Sequence, residues 1–475
     1  MNVPNPNSRP KRQVPKTKQS SSKQARSRQT KFRWWAFALG LTGIAMASAT
    51  AGAMLAVTFT STPLMQRKLT PQEASIFSKG DRISNNGSLQ VPELTRPVNI
   101  MVLGLKVLTS DTQNVPPELK KVGYHALVDK TFDGLTDTML LVRFNPETKK
   151  LAVASVPRDT RTQIPGYRVS KINEANSLGG PALAARATSE LLGGVGIDRY
   201  VSINVQGVQA LVDALGGVNV YVPKNMKYRD ESQHLYVNLK AGQQRLNGDQ
   251  TLQLLRFRSD EYGDIGRIQR QQMVMRALME QTLNPATLAR LPQLLSIVKT
   301  HVDTNLSVEE LMALVGFASQ VNRSNVQMLT VPGDFSQPGQ FNASYWLPNP
   351  GKITTMMAQY FNFGTATQTN STTSLRVSLQ DSTKQPNSAL ALSSKLVTVG
   401  YPNVAIDIPL REPLRVTRII AQRGDSDSAE GIRRALGFGE VRVESTGDPE
   451  SDITVQIGQD WLQKQPTIET PVKGR

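Results

Sequence analysis

From Trp34 to Gln66 the chain carries no charged side chain, and just before it ten Lys/Arg fall between Arg9 and Arg33 without one acid. The 27 residues Trp34 to Thr60 would form a helix of roughly 40 Å at ~1.5 Å per residue, long enough to cross a ~30 Å hydrocarbon core with some tilt. Trp34 and Trp35 stand at its edge, where indole rings favour the membrane interface. Basic residues on the N-terminal flank leave that tail in the cytoplasm and send everything from about residue 61 outside. The expectation is a signal-anchor: a single-pass protein of the cytoplasmic (inner) membrane with its folded part on the extracytoplasmic or periplasmic side. A cleaved leader is the alternative, because Ala47-Ser48-Ala49 resembles a small-residue cleavage site. Against it, the apolar run continues through Met54-Leu55-Ala56-Val57, beyond a normal leader core.

The same asymmetry accounts for the charge. Of the formal +17 on 475 residues, ten charges sit in the tail, which leaves +7 for the rest. The tail, rich in Ser, Gln and Pro, buries too little to offset its ordering entropy and is expected to be disordered. Beside a bilayer its charge reads as a topology signal, worth ~1 kcal/mol per basic residue toward anionic lipid, and no nucleic-acid partner is expected. The chain has no cysteine, which excludes disulfides, thiolate zinc sites and thiol nucleophiles. Its three histidines, His125, His234 and His301, lack metalloprotease spacing.

Beyond the membrane segment the periodicity alternates between strand and helix. Residues 61–95 read as a stalk with one short helix, capped by Thr70-Pro71-Gln72-Glu73. Asn99 to Gly104 reads as a buried strand. A polar insertion, 106–134, is either a lid or a plain surface loop. The stretch Asp137 to Asn173 holds two β-rich runs joined by a tight Asn145-Pro146-Glu147-Thr148 turn, with Pro157-Arg158-Asp159-Thr160 at the end of the second run. Helices are expected at 181–192, 207–215, 266–283, 286–300 and 307–321. Strands are expected at 199–205, 218–222, 252–258 and 326–331. Interleaved elements of this kind predict an α/β fold, an αβα sandwich with a central mixed sheet. A small α/β C-terminal domain follows. The resulting division is a disordered tail 1–33, a transmembrane helix 34–60, a stalk 61–95, a main domain 96–345, a linker 346–372, a C-terminal domain 373–462 and a tail 463–475.

One set of charges is not explained by burial. Arg158 and Asp159 sit where an apolar run stops, and Asp137 opens the preceding one. Arg256 and Arg258 are two apart, which in a strand places both on one face. Asp264, Arg267 and Gln271 follow at i, i+3 and i+7, on one side of a starting helix. Guanidinium forks bind phosphate oxygens bidentately and stay charged, so a pyrophosphate matches the set, and a carboxylate such as Asp137 could hold a magnesium ion shared with it. The bland alternative is a group of surface ion pairs, each worth only ~0–1 kcal/mol.

These residues bring the sequence to a resemblance. Over about 96–345 it is similar to the LytR-CpsA-Psr family of membrane-anchored phosphotransferases. The likeness rests on Leu103-Gly104, Thr136-Asp137-Thr138-Met139, Asn145-Pro146-Glu147-Thr148-Lys149-Lys150, Val156-Pro157-Arg158-Asp159-Thr160 and Lys171-Ile172-Asn173. It continues through Gly179-Gly180-Pro181, Val212-Asp213-Ala214-Leu215-Gly216-Gly217-Val218, Arg256-Phe257-Arg258 and Asp264-Ile265-Gly266-Arg267-Ile268-Gln269-Arg270-Gln271-Gln272. About 373–460 resembles the LytR C-terminal-type domain that often accompanies the family.

The resemblance implies a glycan-1-phosphate moved from a polyprenyl-pyrophosphate carrier to a peptidoglycan sugar hydroxyl, releasing polyprenyl phosphate. It implies a pyrophosphate clamp of Arg158, Arg256, Arg258 and Arg267 with Gln271 beside them, Asp137 as a magnesium ligand and Asp264 orienting arginines. Asp159 would take the hydroxyl proton or form a salt bridge. The chain departs from the family in two places: Leu105-Lys106 stands where an acidic magnesium ligand is common, and Leu135 where an arginine is common. Asp137 is then the only carried-over magnesium ligand unless Asp111 or Asp133 substitutes, and Lys106 could itself supply part of the cation's charge to the pyrophosphate. Two other functions fit the residues, a polyprenyl-pyrophosphate phosphatase and a non-enzymatic membrane-bound regulator of the cell envelope.

Overall fold

The computed structural model describes residues 64–65, 67–77, 82–85, 92–105, 132, 134–230, 235–257, 263–282, 291–365 and 375–464. The expected tail and transmembrane helix, the insertion from Lys106 to Lys130, Asp133, His125, His234, Arg258 and the C-terminal tail beyond residue 464 lie outside the described residues. Among the described residues no helix is long and apolar enough to cross a membrane.

The main domain is built on a six-stranded mixed sheet. Strand β1 (Val98–Leu105) pairs antiparallel with β2 (Thr136–Asn145), and β2 pairs likewise with β3 (Lys150–Ser155). Arg199–Ile203 runs parallel to β1, Val326–Thr330 runs parallel to β3, and Val302–Thr304 closes the first edge. Alternation along the strands sorts the core into two layers. Met101, Leu103, Met139, Leu141, Ala152 and Ala154 face the helix Glu174–Leu191. Its buried Ala182, Ala184, Ala185 and Ala187 present small side chains to the sheet. Ile100, Leu140, Val142, Leu151 and Val153 face Ala313, Leu314 and Phe317 of the helix Val308–Ala318. The predicted mixed α/β architecture is present, with helices on both faces of the sheet.

The β2–β3 hairpin follows its sequence signal closely. Asn145 Oδ1 accepts from the backbone N–H of Glu147 and Thr148 at 3.1 and 3.2 Å, and Lys149 takes the left-handed φ of 53° that closes the turn.

Three expectations are corrected. The segment 61–95 is no free stalk where it is described: Leu64, Phe77 and Ile83 are buried, and the Phe77 ring packs at a 35° tilt against Tyr200 with centroids 5.1 Å apart. Its Thr70–Glu73 capping box is present as expected. The expected linker 346–372 contains the strand Trp346–Pro348, paired with Gly333–Phe335, and the helix Pro350–Phe361. That helix buries Ile353, Met356, Met357, Tyr360 and Phe361, a stripe at helical spacing broken up by Thr, Ala and Gln. Finally, Gly248–Arg256 is a helix and not the expected strand, because Asn247 and Gln250 form a reciprocal capping box at its start.

The C-terminal domain is a five-stranded sheet. In order it holds Val404–Ile406, Val377–Asp381, Ile453–Ile457, Arg418–Ala421 and Glu440–Val443, with helices Ser388–Thr398 and Ser426–Leu436. The buried Tyr360 hydroxyl of the preceding helix donates to the Gly424 carbonyl in this domain, and burial pushes its pKa up to about 12 from 10.0. The unfolded chain ionises first, so this contribution is complete below pH 10 and is lost as pH rises through 12. Wild-type stability should therefore fall by about 2–3 kcal/mol across that window in denaturant titrations, at ~1.4 kcal/mol per pKa unit. Tyr360→Phe should flatten the fall; an identical alkaline slope in the variant would contradict the assignment.

Candidate functional site

The site starts at the end of β3. Val156 still donates to Met139 O at 2.8 Å, and then Pro157, which has no N–H, ends the pairing. Residues 157–160 make a tight turn closed by Thr160 N–H to Pro157 O at 3.0 Å and by the Thr160 hydroxyl to the same oxygen at 2.6 Å. Arg158 and Asp159 occupy its two central positions. Asn173 N–H donates to Arg158 O at 3.2 Å, and Trp346 N–H donates to Asp159 O at 3.0 Å, so the backbone at both residues is tied down. This explains how a short polar corner aims two charged side chains.

A register shift at the end of β1 supplies the second element. Gly104 pairs with Thr138 and Leu105 with Thr136, which leaves Asp137 as the extra residue of a β-bulge. Gly104 is needed there, since a Cβ would lie 2.9 Å from Thr138 Cβ. Both Asp137 and Thr138 therefore reach one cleft instead of opposite faces. Arg158 Nη1 donates to Asp137 Oδ1 at 2.8 Å, and Arg267 Nη1 lies 3.8 Å from the same oxygen. Gln271 Nε2 donates to the Thr138 hydroxyl at 2.8 Å. Arg267 and Gln271 come from the helix Gly263–Thr282, one turn apart as their spacing predicted.

Arg256 completes the arginine group. It lines the cleft from the last turn of the helix Gly248–Arg256. Arg270 holds that helix end in place. Its buried guanidinium donates to Leu254 O at 3.0 Å and to Phe257 O, capping otherwise unsatisfied carbonyls. The helix replaces the expected strand, so Arg256 and Arg258 do not share a strand face, and Arg258 lies outside the described residues. So does Lys106, and nothing is described of the Asp264 side chain.

The cleft has a volume of about 90 Å³ and sets three charged groups, Asp137, Arg256 and Arg267, against an apolar wall of Ile203, Val205, Val208, Leu252 and Leu255. Magnitudes favour a binding role over surface ion pairing. The Arg267 side chain is only 6% exposed, and desolvating a cation costs several kcal/mol, against ~0–1 kcal/mol returned by an exposed pair. Asp137 lines the cleft and ties the guanidiniums of Arg158 and Arg267 to one carboxylate oxygen.

Two partners were not legible in sequence. Lys171 Nζ lies 3.0 Å from Asp159 Oδ1, closer than Arg158 Nε at 3.8 Å from Oδ2, so of these two cations the lysine is the nearer partner. Thr138 is the second; its alternation in β2 predicts the opposite face. Among the described residues no group of three or more His, Cys, Asp or Glu gathers as a metal site. Asp137 with ligand oxygens and water still matches how magnesium is often held, by one or two carboxylates plus phosphates.

Comparison with known proteins follows the same boundaries. Residues 63–362 match the LytR_cpsA_psr family, and residues 374–461 match the family described as LytR cell envelope-related transcriptional attenuator. The first match takes in residues 63–95 of the expected stalk and 346–362 of the expected linker. Regulatory protein MsrR of Staphylococcus aureus (strain COL) is 36% identical over 200 residues, covering 42% of this chain and 59% of MsrR. The polyisoprenyl-teichoic acid–peptidoglycan teichoic acid transferase TagV of Bacillus subtilis (strain 168) is 28% identical over 269 residues, covering 54% of this chain and 68% of TagV. Among solved structures, B. subtilis TagV aligns at 24% identity and a TM-score of 0.46 over 57% of this chain and 99% of that one. Protein gbs0355 from Streptococcus agalactiae aligns at 22% and 0.48 over 58% and 91%.

Proposed function

Because this chain belongs to the LytR-CpsA-Psr family, we propose that it is a cell-wall glycopolymer transferase working by phosphoryl transfer. The substrate is a glycan on a polyprenyl pyrophosphate, and the acceptor is a peptidoglycan sugar hydroxyl. The observation that carries this reading is the meeting of Arg256 and Arg267 in one cleft with Asp137, whose carboxylate also holds Arg158, a charge arrangement suited to a diphosphate. The relatives named as teichoic acid transferases support the class of reaction.

In this mechanism the acceptor oxygen attacks the sugar-proximal phosphorus, the bond from that phosphorus to the bridging oxygen breaks, and polyprenyl phosphate leaves with the electron pair. The guanidiniums hold the phosphate oxygens in place and neutralise charge that grows on the leaving group, the main catalytic contribution in phosphoryl transfer. Gln271, anchored on Thr138, adds an amide beside them. A magnesium ion held by Asp137 and the diphosphate would supply further neutralisation. Asp159 is the carboxylate on the corner, but its pairing with Lys171 favours a positioning role, and the hydroxyl proton passes to the departing polyprenyl phosphate oxygen. Asp159→Asn should accordingly lower the rate about tenfold without changing the shape of the pH–rate profile; loss of the acidic limb would make Asp159 the proton acceptor.

The test of the reaction is incubation of the full-length protein with a lipid-linked glycan, with and without peptidoglycan. Glycan should appear on peptidoglycan together with polyprenyl phosphate. Free glycan phosphate formed equally in both tubes would instead indicate hydrolysis. The uncharged segment 34–60 is proposed as the membrane anchor, with the folded domains outside; protease added to intact cells or spheroplasts should then cleave the folded part.

A further inference from the structure

The helix that carries the clamp has a second face with its own cavity. Gly266, Gln269, Arg270, Met273, Arg276 and Ala277 recur at three- and four-residue spacing and line a groove of about 540 Å³, whereas Arg267 and Gln271 open on the cleft. One wall is a two-stranded ladder, Val218–Val222 with Gly242–Leu246. Its valines are buried, and Asn219, Tyr221 and Gln243 are turned to the groove, Gln243 directly opposite Tyr221 in register. The other wall is the C-terminal domain, which contributes Gln380, Gln456, Arg411, Arg418 and Arg442.

The lining holds seven Lys/Arg against three Asp/Glu, a formal charge of +4. Part of it secures the two domains to each other: Arg276 pairs with Glu444, Gln269 Nε2 donates to Gly447 O at 2.8 Å, and Ser445 N–H donates to Gln272 Oε1 at 2.9 Å. Holding the domains together does not call for an open groove with excess positive charge. Arg442 is 16% exposed beside Glu440 and Glu444, and burial holds its pKa below the usual arginine range, so positive charge here is kept at an energetic cost. Two carboxamides, Asn219 and Gln243, stand on the ladder wall with the Tyr221 ring, and Gln380 and Gln456, hydrogen-bonded to Asp407 and to each other, stand on the other. Carboxamides pair with hydroxyls, an aromatic face packs on a sugar ring, and arginines take phosphate oxygens; a lipid chain would need none of them.

We propose that this groove between the main and C-terminal domains binds an anionic glycan, a sugar chain bearing phosphate diesters. The purpose assigned to that binding, feeding polymer to the clamp on the opposite face of the same helix, rests on the transferase reading.

The test is titration of the full-length protein in detergent with a fluorescent sugar-substituted glycerol phosphate oligomer at low salt. Lys224→Glu with Arg411→Glu reverses one cation on each wall and should weaken binding at least tenfold. Tyr221→Ala should weaken it about fivefold, and Arg158→Ala should bind like wild type. Melting curves unchanged from wild type would show that both groove variants are folded. Equal binding in the two folded groove variants, equal binding of an uncharged dextran oligomer, or displacement of the probe by inorganic pyrophosphate would each overturn the proposal. Probe binding without glycan transfer would refute the transferase reading and leave the groove standing, and transfer without probe binding would do the reverse.

Discussion

Arg158→Ala should lower glycan transfer at least 10²–10³-fold while the protein stays folded. Losing one preorganised donor to developing transition-state charge typically has an effect of that size. Here the side chain is also the one set by a locked turn and hydrogen-bonded at 2.8 Å to Asp137. Arg158→Lys should recover little, since an ammonium on a flexible stem does not reproduce a planar fork held against a carboxylate. The fold should tolerate both changes. The turn is closed by backbone groups of Pro157, Thr160, Asn173 and Trp346, and Asp137 keeps Arg267 at 3.8 Å. The measurement is transfer rate beside a melting curve; a wild-type rate in the alanine variant would remove Arg158 from the site.

Glu310→Ala should produce the largest loss of stability, about 3–5 kcal/mol, the usual result of leaving one member of a buried ion pair behind. Glu310 and Arg199 are 6% and 7% exposed, and the guanidinium donates to both carboxylate oxygens, at 2.6 and 3.1 Å. The same carboxylate accepts from Ser307 N–H at 3.0 Å, so the substitution also opens the capping box of the helix Val308–Ala318. Arg199 begins its strand and Ile203, at the other end, lines the cleft, so activity per folded molecule should stay near wild type. In urea titrations the double variant Arg199→Met, Glu310→Met should be clearly more stable than Glu310→Ala. Equal midpoints for Glu310→Ala and wild type would show the pair to be energetically idle.

How far sequence carried the reading can be judged at these same residues. The helix expected from residue 307 is present because its capping box, Ser307 with Glu310, is local, decided by residues three apart. Asn145 to Thr148 announced a hairpin for the same reason. Leu252 to Arg258 misled because a short run of leucines and arginines satisfies both periods, and the capping pair Asn247 and Gln250 that decides between them lies upstream of it. The strand and helix between Trp346 and Phe361 were missed because their stabilisation comes from packing on distant parts of the chain.

By itself the sequence determined the α/β class and the layered core, and it picked out Arg158, Arg256, Arg267 and Gln271 as side chains whose chemistry suits an anion. All of these follow from periodicity and residue chemistry, which are properties of short windows. Only the tertiary structure decided that Asp137 sits on a bulge between two guanidiniums, that Asp159 answers to Lys171, and that the clamp helix also forms the floor of a groove shared with the C-terminal domain. Those pairings join positions from twelve to nearly two hundred residues apart. Contacts of that kind depend on which surfaces meet when the sheet and its helices pack, and no local pattern records them.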